Sequence, residues 1–220
     1  MKKIRLFILM SVFMTSLAAC GSDDPQPVIS GDDNNDNTEI PADGKILVAY
    51  FSWGGITRRM AQQIAEQTGG TLFEIEPVTP YPTEYTRCTE VALEERDSDA
   101  RPAIKGSVED MDSYDIVFIG CPVWWHTAPM IINTFTESYD FKGKTVVPFC
   151  TYASTYRDET LQKIVTLTPD ASHLSGLGLT GSGVANANNV AEWLKEIKII
   201  SNGSVKKLCG SSNICCDKLF

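Results

Sequence analysis

Three short apolar runs constrain this chain more than anything else in it. They are Lys45 to Phe51 (KILVAYF), Asp115 to Gly120 (DIVFIG) and Lys144 to Cys150 (KTVVPFC). They are rich in β-branched and aromatic residues and show little polar alternation, which is the pattern of strands buried on both faces of a parallel sheet. Each runs straight into a loop of small or aromatic residues. The first loop is Ser52, Trp53, Gly54, Gly55, Ile56 and Thr57, and the second is Pro122, Val123, Trp124, Trp125 and His126, just after Cys121. The third begins at Thr151 and Tyr152. Open parallel sheets bind ligands outside the carboxyl ends of their strands, where the strand order reverses. The expected site therefore lies in these loops.

Two further runs, Thr71–Glu76 and Ser172–Gly178, complete a set of five strands. Helical patterns separate them. Thr57–Thr68 carries Met60 and Ile64 on one face and is stopped by Gly69 and Gly70. A second helix is expected around Glu84–Glu95, a third from Pro129 to about Tyr139, and two more at Arg157–Val165 and Asn186–Ile197. Alternating strands and helices imply right-handed crossovers and an α/β fold. The expectation is a doubly wound five-stranded parallel sheet of order 2-1-3-4-5. The connection from Pro77 to Ser113 is long. Tyr81 and Tyr85 within it are expected to pack against the sheet edge, with a reach over the site as the alternative.

The ends of the chain differ from the 45–197 domain. Lys2, Lys3 and Arg5 precede an apolar stretch from Leu6 to Leu17, about as long as a secretory signal and too short to span a membrane. Leu17-Ala18-Ala19-Cys20 resembles a bacterial lipobox, which implies cleavage before Cys20 and lipidation of its thiol. The alternative is an ordinary secretory signal with an incidental Cys. Residues 21–44 are acidic, lack Lys and Arg and have little apolar content, as expected of a disordered linker. Residues 198–220 carry three Cys without clear periodicity and read as a tail outside the domain. The expected location is the cell envelope, with the membrane reached only through the lipid.

Charge and cysteine content exclude some classes of function. The chain has a formal net charge of −9, and losing residues 1–20 moves it to −12, because that segment holds three basic residues and no acidic one. An acidic domain without a basic patch argues against nucleic acid as a partner. It is compatible with a basic redox partner protein steered by charge. No CxxC pair occurs, so neither a thioredoxin-type motif nor a paired-CxxC zinc site is present. Cys121 and Cys150 are expected to be small apolar core residues.

The three loops have complementary chemistry. Ser52, Gly54, Gly55 and Thr57 between a strand and a helix offer hydroxyls and backbone N–H groups to a phosphate at the positive end of a helix dipole. The loop lacks the Lys of a nucleoside-triphosphate loop. Trp124, Trp125 and Tyr152 offer aromatic faces to a flat ring, and His126 offers bulk or a hydrogen bond. A ring joined to a phosphate points to flavin mononucleotide (FMN). Each feature also has a plainer reading: a glycine turn with Thr57 as helix cap, Trp side chains filling a gap, and a surface His.

The span 45–197 resembles flavodoxins of the kind found in bacterial lipoproteins. The matching phrases include KILVAYFSWGGITRR, AEQTGGTLFEIEPVTPYP, YDIVFIGCPVWWHTAPM, TFTESYDFKGKTVVPFC and VAEWLKEI. The resemblance implies the flavodoxin-like strand order, FMN as cofactor, and either electron transfer with an unidentified redox partner protein or reduction of a small quinone-like acceptor. Four features depart from the family pattern. Gly54 stands where a hydroxyl residue is usual, Ile56 where an Asn-like residue is usual and His126 where Gly is usual, and the third loop lacks Gly. These motivate the alternative of a flavodoxin-fold binding module that has lost or weakened its hold on flavin.

Overall fold

The computed structural model describes residues 44–201. The expected signal segment, Cys20, nearly all of the acidic linker and nearly all of the tail lie outside the described residues. Six parallel strands form one sheet: β1 (Ile46–Tyr50), β2 (Thr71–Glu74), β3 (Ile116–Pro122), β4 (Thr145–Thr151), β5 (Ser172–His173) and β6 (Leu177–Leu179). The order is β2-β1-β3-β4-β5, with β6 also pairing with β4. The helices are α1 (Ile56–Thr68), α2 (Tyr85–Asp97), α3 (Met130–Glu137), α4 (Arg157–Leu167), α5 (Gly181–Ala185) and α6 (Asn188–Glu196). This is the doubly wound architecture implied by the alternating runs.

The two-residue period of a strand divides each apolar run between two cores. Leu47, Ala49, Val117, Ile119 and Val146 share one buried cluster with Ile131, Ile132 and Phe135 of α3 and Ile164 of α4. Val48, Phe118, Val147 and Phe149 share the other with Met60 and Ile64 of α1 and Trp193 and Leu194 of α6. At roughly 1.5–3 kcal/mol for each large side chain removed from water, these two layers hold the strand ends in place. Gly120 is required at the centre: a Cβ there would lie 2.0 Å from the ring of Phe149, its register partner on β4.

The structure corrects one element of the sequence reading. Ser172–Gly178 is not a continuous fifth strand but two short ones, separated at Leu174–Gly176. The cause lies across the sheet. Pro148 of β4 has no N–H to donate, so the ladder breaks beside it. Val146 pairs with His173 before the break, and Phe149 with Leu177 after it. The last expected helix, Asn186–Ile197, is α6, and a short helix that was not expected, α5, precedes it. Among the described residues, no helix is long and apolar enough to cross a membrane.

Candidate functional site

The first loop leaves the carboxyl end of β1 and enters α1 through Gly55, whose φ of 85° lies in the left-handed region that favours glycine. Gly55 is the cap residue, so Thr57 is not the N-cap but the second residue of the helix. Its hydroxyl is buried and lies 2.7 Å from that of Thr151, tying α1 to the end of β4. That pairing leaves backbone N–H groups as the main donors at this helix end. The N–H of Gly55 donates to Ser52 Oγ at 3.1 Å. Among the described residues, no acceptor meets the N–H groups of Ile56, Thr57 and Arg58. No side chain caps the helix, and its first turn holds no acidic residue. Unpaired amides at an uncapped, acid-free helix start have the chemistry suited to an anion.

The second loop is a tight turn in which Trp124 and Thr127 exchange backbone hydrogen bonds of 2.9 and 3.0 Å. Its two central residues, Trp125 and His126, both have positive φ, 46° and 71°. This geometry ordinarily selects Asn or Gly, so neighbouring groups must hold it. Trp125 Nε1 donates to Thr89 O of α2 at 2.7 Å, and the Arg96 guanidinium lies 5.5 Å from the Trp125 ring centre. The adjacent tryptophans take different roles. Trp124 packs inward, edge-on to Phe51 and Tyr81 at 5.2 and 4.9 Å, whereas Trp125 is 37% exposed.

The third loop approaches the second through the Tyr156 ring, stacked on His126 with centres 3.8 Å apart. Among the described residues, the N–H groups of Ala153, Ser154 and Thr155 have no protein acceptor. They can serve the polar edge of a ring without any glycine in the loop. Pro122 and Thr151 face each other in register at the end of the sheet.

A cavity of about 590 Å³ opens between these loops. It brings together Trp53, Val123, Trp124, Trp125 and His126 from the sequence-predicted set. Ser52, Gly54, Gly55, Ile56 and Thr57 belong instead to the adjoining helix start. Tyr152 lines a separate depression beside Arg157, Asp158 and Glu159. Sequence reasoning missed Cys88 and Thr89 of α2 and placed Tyr85 near the site only as an alternative; the three form a further wall. Their i, i+3, i+4 spacing on one helix face was the available signal. Tyr85 is 71% exposed and lines this cavity, contrary to the expected packing against the sheet edge. Tyr81 does pack, and burial together with its 2.8 Å hydrogen bond to Glu95 pushes its hydroxyl pKa up. Burial, with Glu95 adding to it, pushes the Cys88 thiol up to about 11. Cys121 and Cys150 are buried free thiols in register on β3 and β4. Burial raises both, Cys150 to about 12. Among the described residues, no cluster of His, Cys, Asp and Glu fits a metal ion.

Comparison with known proteins agrees with this geometry. The family profile described as Flavodoxin matches residues 45–197. The chain belongs to the flavodoxin family. Among solved structures, a provisionally named flavoprotein from Bacteroides eggerthii is 37% identical. That match covers 70% of this chain and 98% of the other, with a TM-score of 0.63. A provisionally named flavoprotein from Bacteroides uniformis is 39% identical, covering 69% and 98%, with a TM-score of 0.61. A flavoprotein from Lactobacillus acidophilus, solved in complex with FMN, is 23% identical, covers 66% and 99%, and has a TM-score of 0.56. A search of curated proteins finds no match.

Proposed function

We propose that this protein is an FMN-binding electron-transfer flavoprotein, exported and held at the cell envelope by a lipid on Cys20. The observation that carries the cofactor is the uncapped, acid-free start of α1 beside an aromatic cavity, with a phosphate site and a ring site next to each other. The donor set fits. The N–H groups of Ile56, Thr57 and Arg58 and the Ser52 hydroxyl would hold the phosphate, and Trp53, Trp125, His126 and Tyr156 would flank the ring. When bound, FMN supplies one- and two-electron redox chemistry. The protein's own residues bind and orient it and keep its ring in an apolar setting. Family membership and the FMN complex of the Lactobacillus relative support this reading.

The test is titration of the purified chain with FMN, followed by flavin fluorescence and the visible spectrum. Stoichiometric quenching is expected. No binding at tens of micromolar overturns the reading. Anchoring is tested separately by Cys20→Ser, which should move the protein from the membrane fraction to the soluble one.

A second reading has its own support. The His126–Tyr156 stack bridges the second and third loops, as in a binding module of this fold that no longer takes flavin. On that reading, a colourless protein turns yellow only after Gly54→Ser, Ile56→Asn and His126→Gly are combined. A Cβ at Gly54 meets open space, so the first of these changes is sterically free.

A further inference from the structure

We propose that the Arg58 side chain is a phosphate ligand held in reserve, and that Glu74, by holding it, sets how strongly the chain prefers a phosphorylated flavin to an unphosphorylated one. The inference rests on the flavin-binding reading and concerns the charge beside its phosphate.

Three observations converge. The first is position. Arg58 is the third residue of α1, and helical side chains lean toward the helix N-terminus. Arg58 and Ser52, whose hydroxyl is assigned to the phosphate, line one cavity of about 250 Å³ at the carboxyl ends of β1 and β2. A guanidinium on this wall has the reach to meet an anion at the helix start, and its fork of N–H groups matches phosphate oxygens. Arg59, next along the helix, lines neither this cavity nor the larger one.

The second is the hold. Arg58 Nε donates to Glu74 Oε2 at 3.1 Å, and its Nη2 donates to Oε1, a two-point pairing. Glu74 is itself fixed. Tyr50 is its register partner on β1, and the Tyr50 hydroxyl donates to Glu74 Oε2 at 3.2 Å. The Tyr50 ring is buried and cannot follow a moving carboxylate. The Glu74 side chain is 23% exposed and that of Arg58 is 45% exposed. The carboxylate is therefore the anchor, and the guanidinium is the part that can leave.

The third is the charge balance. The other cation lining this cavity is Lys105, 3.4 Å from Glu76. Two cations face two carboxylates, so the cavity is formally neutral. An anion at the start of α1 meets amide dipoles and no uncompensated cation. Removing the charge of Glu74 alone leaves one net positive charge, on the side chain that reaches the helix start.

The test uses the full chain and two ligands, FMN and riboflavin, which carries the same ring without the phosphate. Glu74→Gln keeps the shape and an acceptor for Tyr50 and removes the charge. Both ligands are titrated by flavin fluorescence. Glu74→Gln should bind FMN about tenfold more tightly than wild type, the scale of a hydrogen bond to a charged group, and riboflavin within about twofold. The gain should shrink as salt rises, and adding Arg58→Gln should cancel it. Equal FMN affinity in wild type and Glu74→Gln overturns the proposal and leaves the flavin reading intact. Weaker binding of both ligands also overturns it, because Glu74 would then only brace the sheet edge. A gain that survives Arg58→Gln does the same. Uptake of FMN by Glu74→Gln but not by wild type would be the expected result in its strongest form. Uptake by neither overturns both the proposal and the flavin reading.

Discussion

The starts of α1 and α4 share a backbone geometry and differ in charge. Each is entered through a residue with left-handed backbone, Gly55 at φ 85° and Tyr156 at φ 63°, and neither has a side-chain cap. The first turn of α1 holds no acidic residue, while that of α4 holds Asp158 and Glu159. The positive end of the α4 dipole is thus already answered by its own chain, and that of α1 is left for an external anion. Similar backbone turns therefore do different jobs. On the proposed function one receives a phosphate, and the other presents an aromatic side chain to the neighbouring loop.

The strongest way to break this contrast is to copy the charge of α4 into α1. Ile56→Asp should weaken FMN binding about a hundredfold or more, since a hydrogen bond to a charged group contributes roughly 1.5–3 kcal/mol and more than one is opposed. Fluorescence titration measures it, and an unchanged dissociation constant would erase the distinction between the two helix starts. The caps themselves come next. Gly55→Ala should lower stability in urea by about 1–2 kcal/mol, the cost of a Cβ in left-handed backbone. Tyr156→Gly should stay within about 1 kcal/mol of wild type, because relief of strain offsets loss of the His126 stack. Equal losses at the two caps would show that the strain at Tyr156 is illusory. A smaller effect is expected from Asp158→Asn combined with Glu159→Gln, which should change FMN affinity by less than about threefold in physiological salt.

The smallest effect concerns α2, which is capped in a third way. Glu84 accepts from the N–H groups of Thr86 and Arg87, both at 2.8 Å. The Arg87 and then the Thr86 backbone hydrogen bonds hold its carboxyl below the usual range. A folded pKa below the unfolded one stabilises the native state above the ordinary carboxylate range and ceases to do so as pH falls through the folded value. Glu84→Gln should therefore lower the urea midpoint slightly at neutral pH, and the difference from wild type should vanish in acid. A difference that persists below the carboxylate range would assign the effect to something other than this ionised cap.

The sequence showed the scaffold better than the site, for physical reasons. β1, β3 and β4 were legible because strands buried on both faces must be apolar throughout. The break between β5 and β6 was not, because its cause is Pro148 on a different strand. Trp53, Trp124 and Trp125 were legible as aromatic loop residues, but which tryptophan turned inward depended on Phe51 and Tyr81. The α2 wall was hidden for the same reason. Its link to the second loop joins Thr89 to Trp125 across 36 residues of chain. No local pattern records a contact of that range.

Gly120 and Phe149 share one parcel of space between two strands, and nearly all of it is given to Phe149. The two positions are bound to change together. Any side chain gained at 120 must be surrendered at 149, so a lineage can cross this point only by a paired exchange. The floor beneath the ligand loops is in that sense a single packed unit.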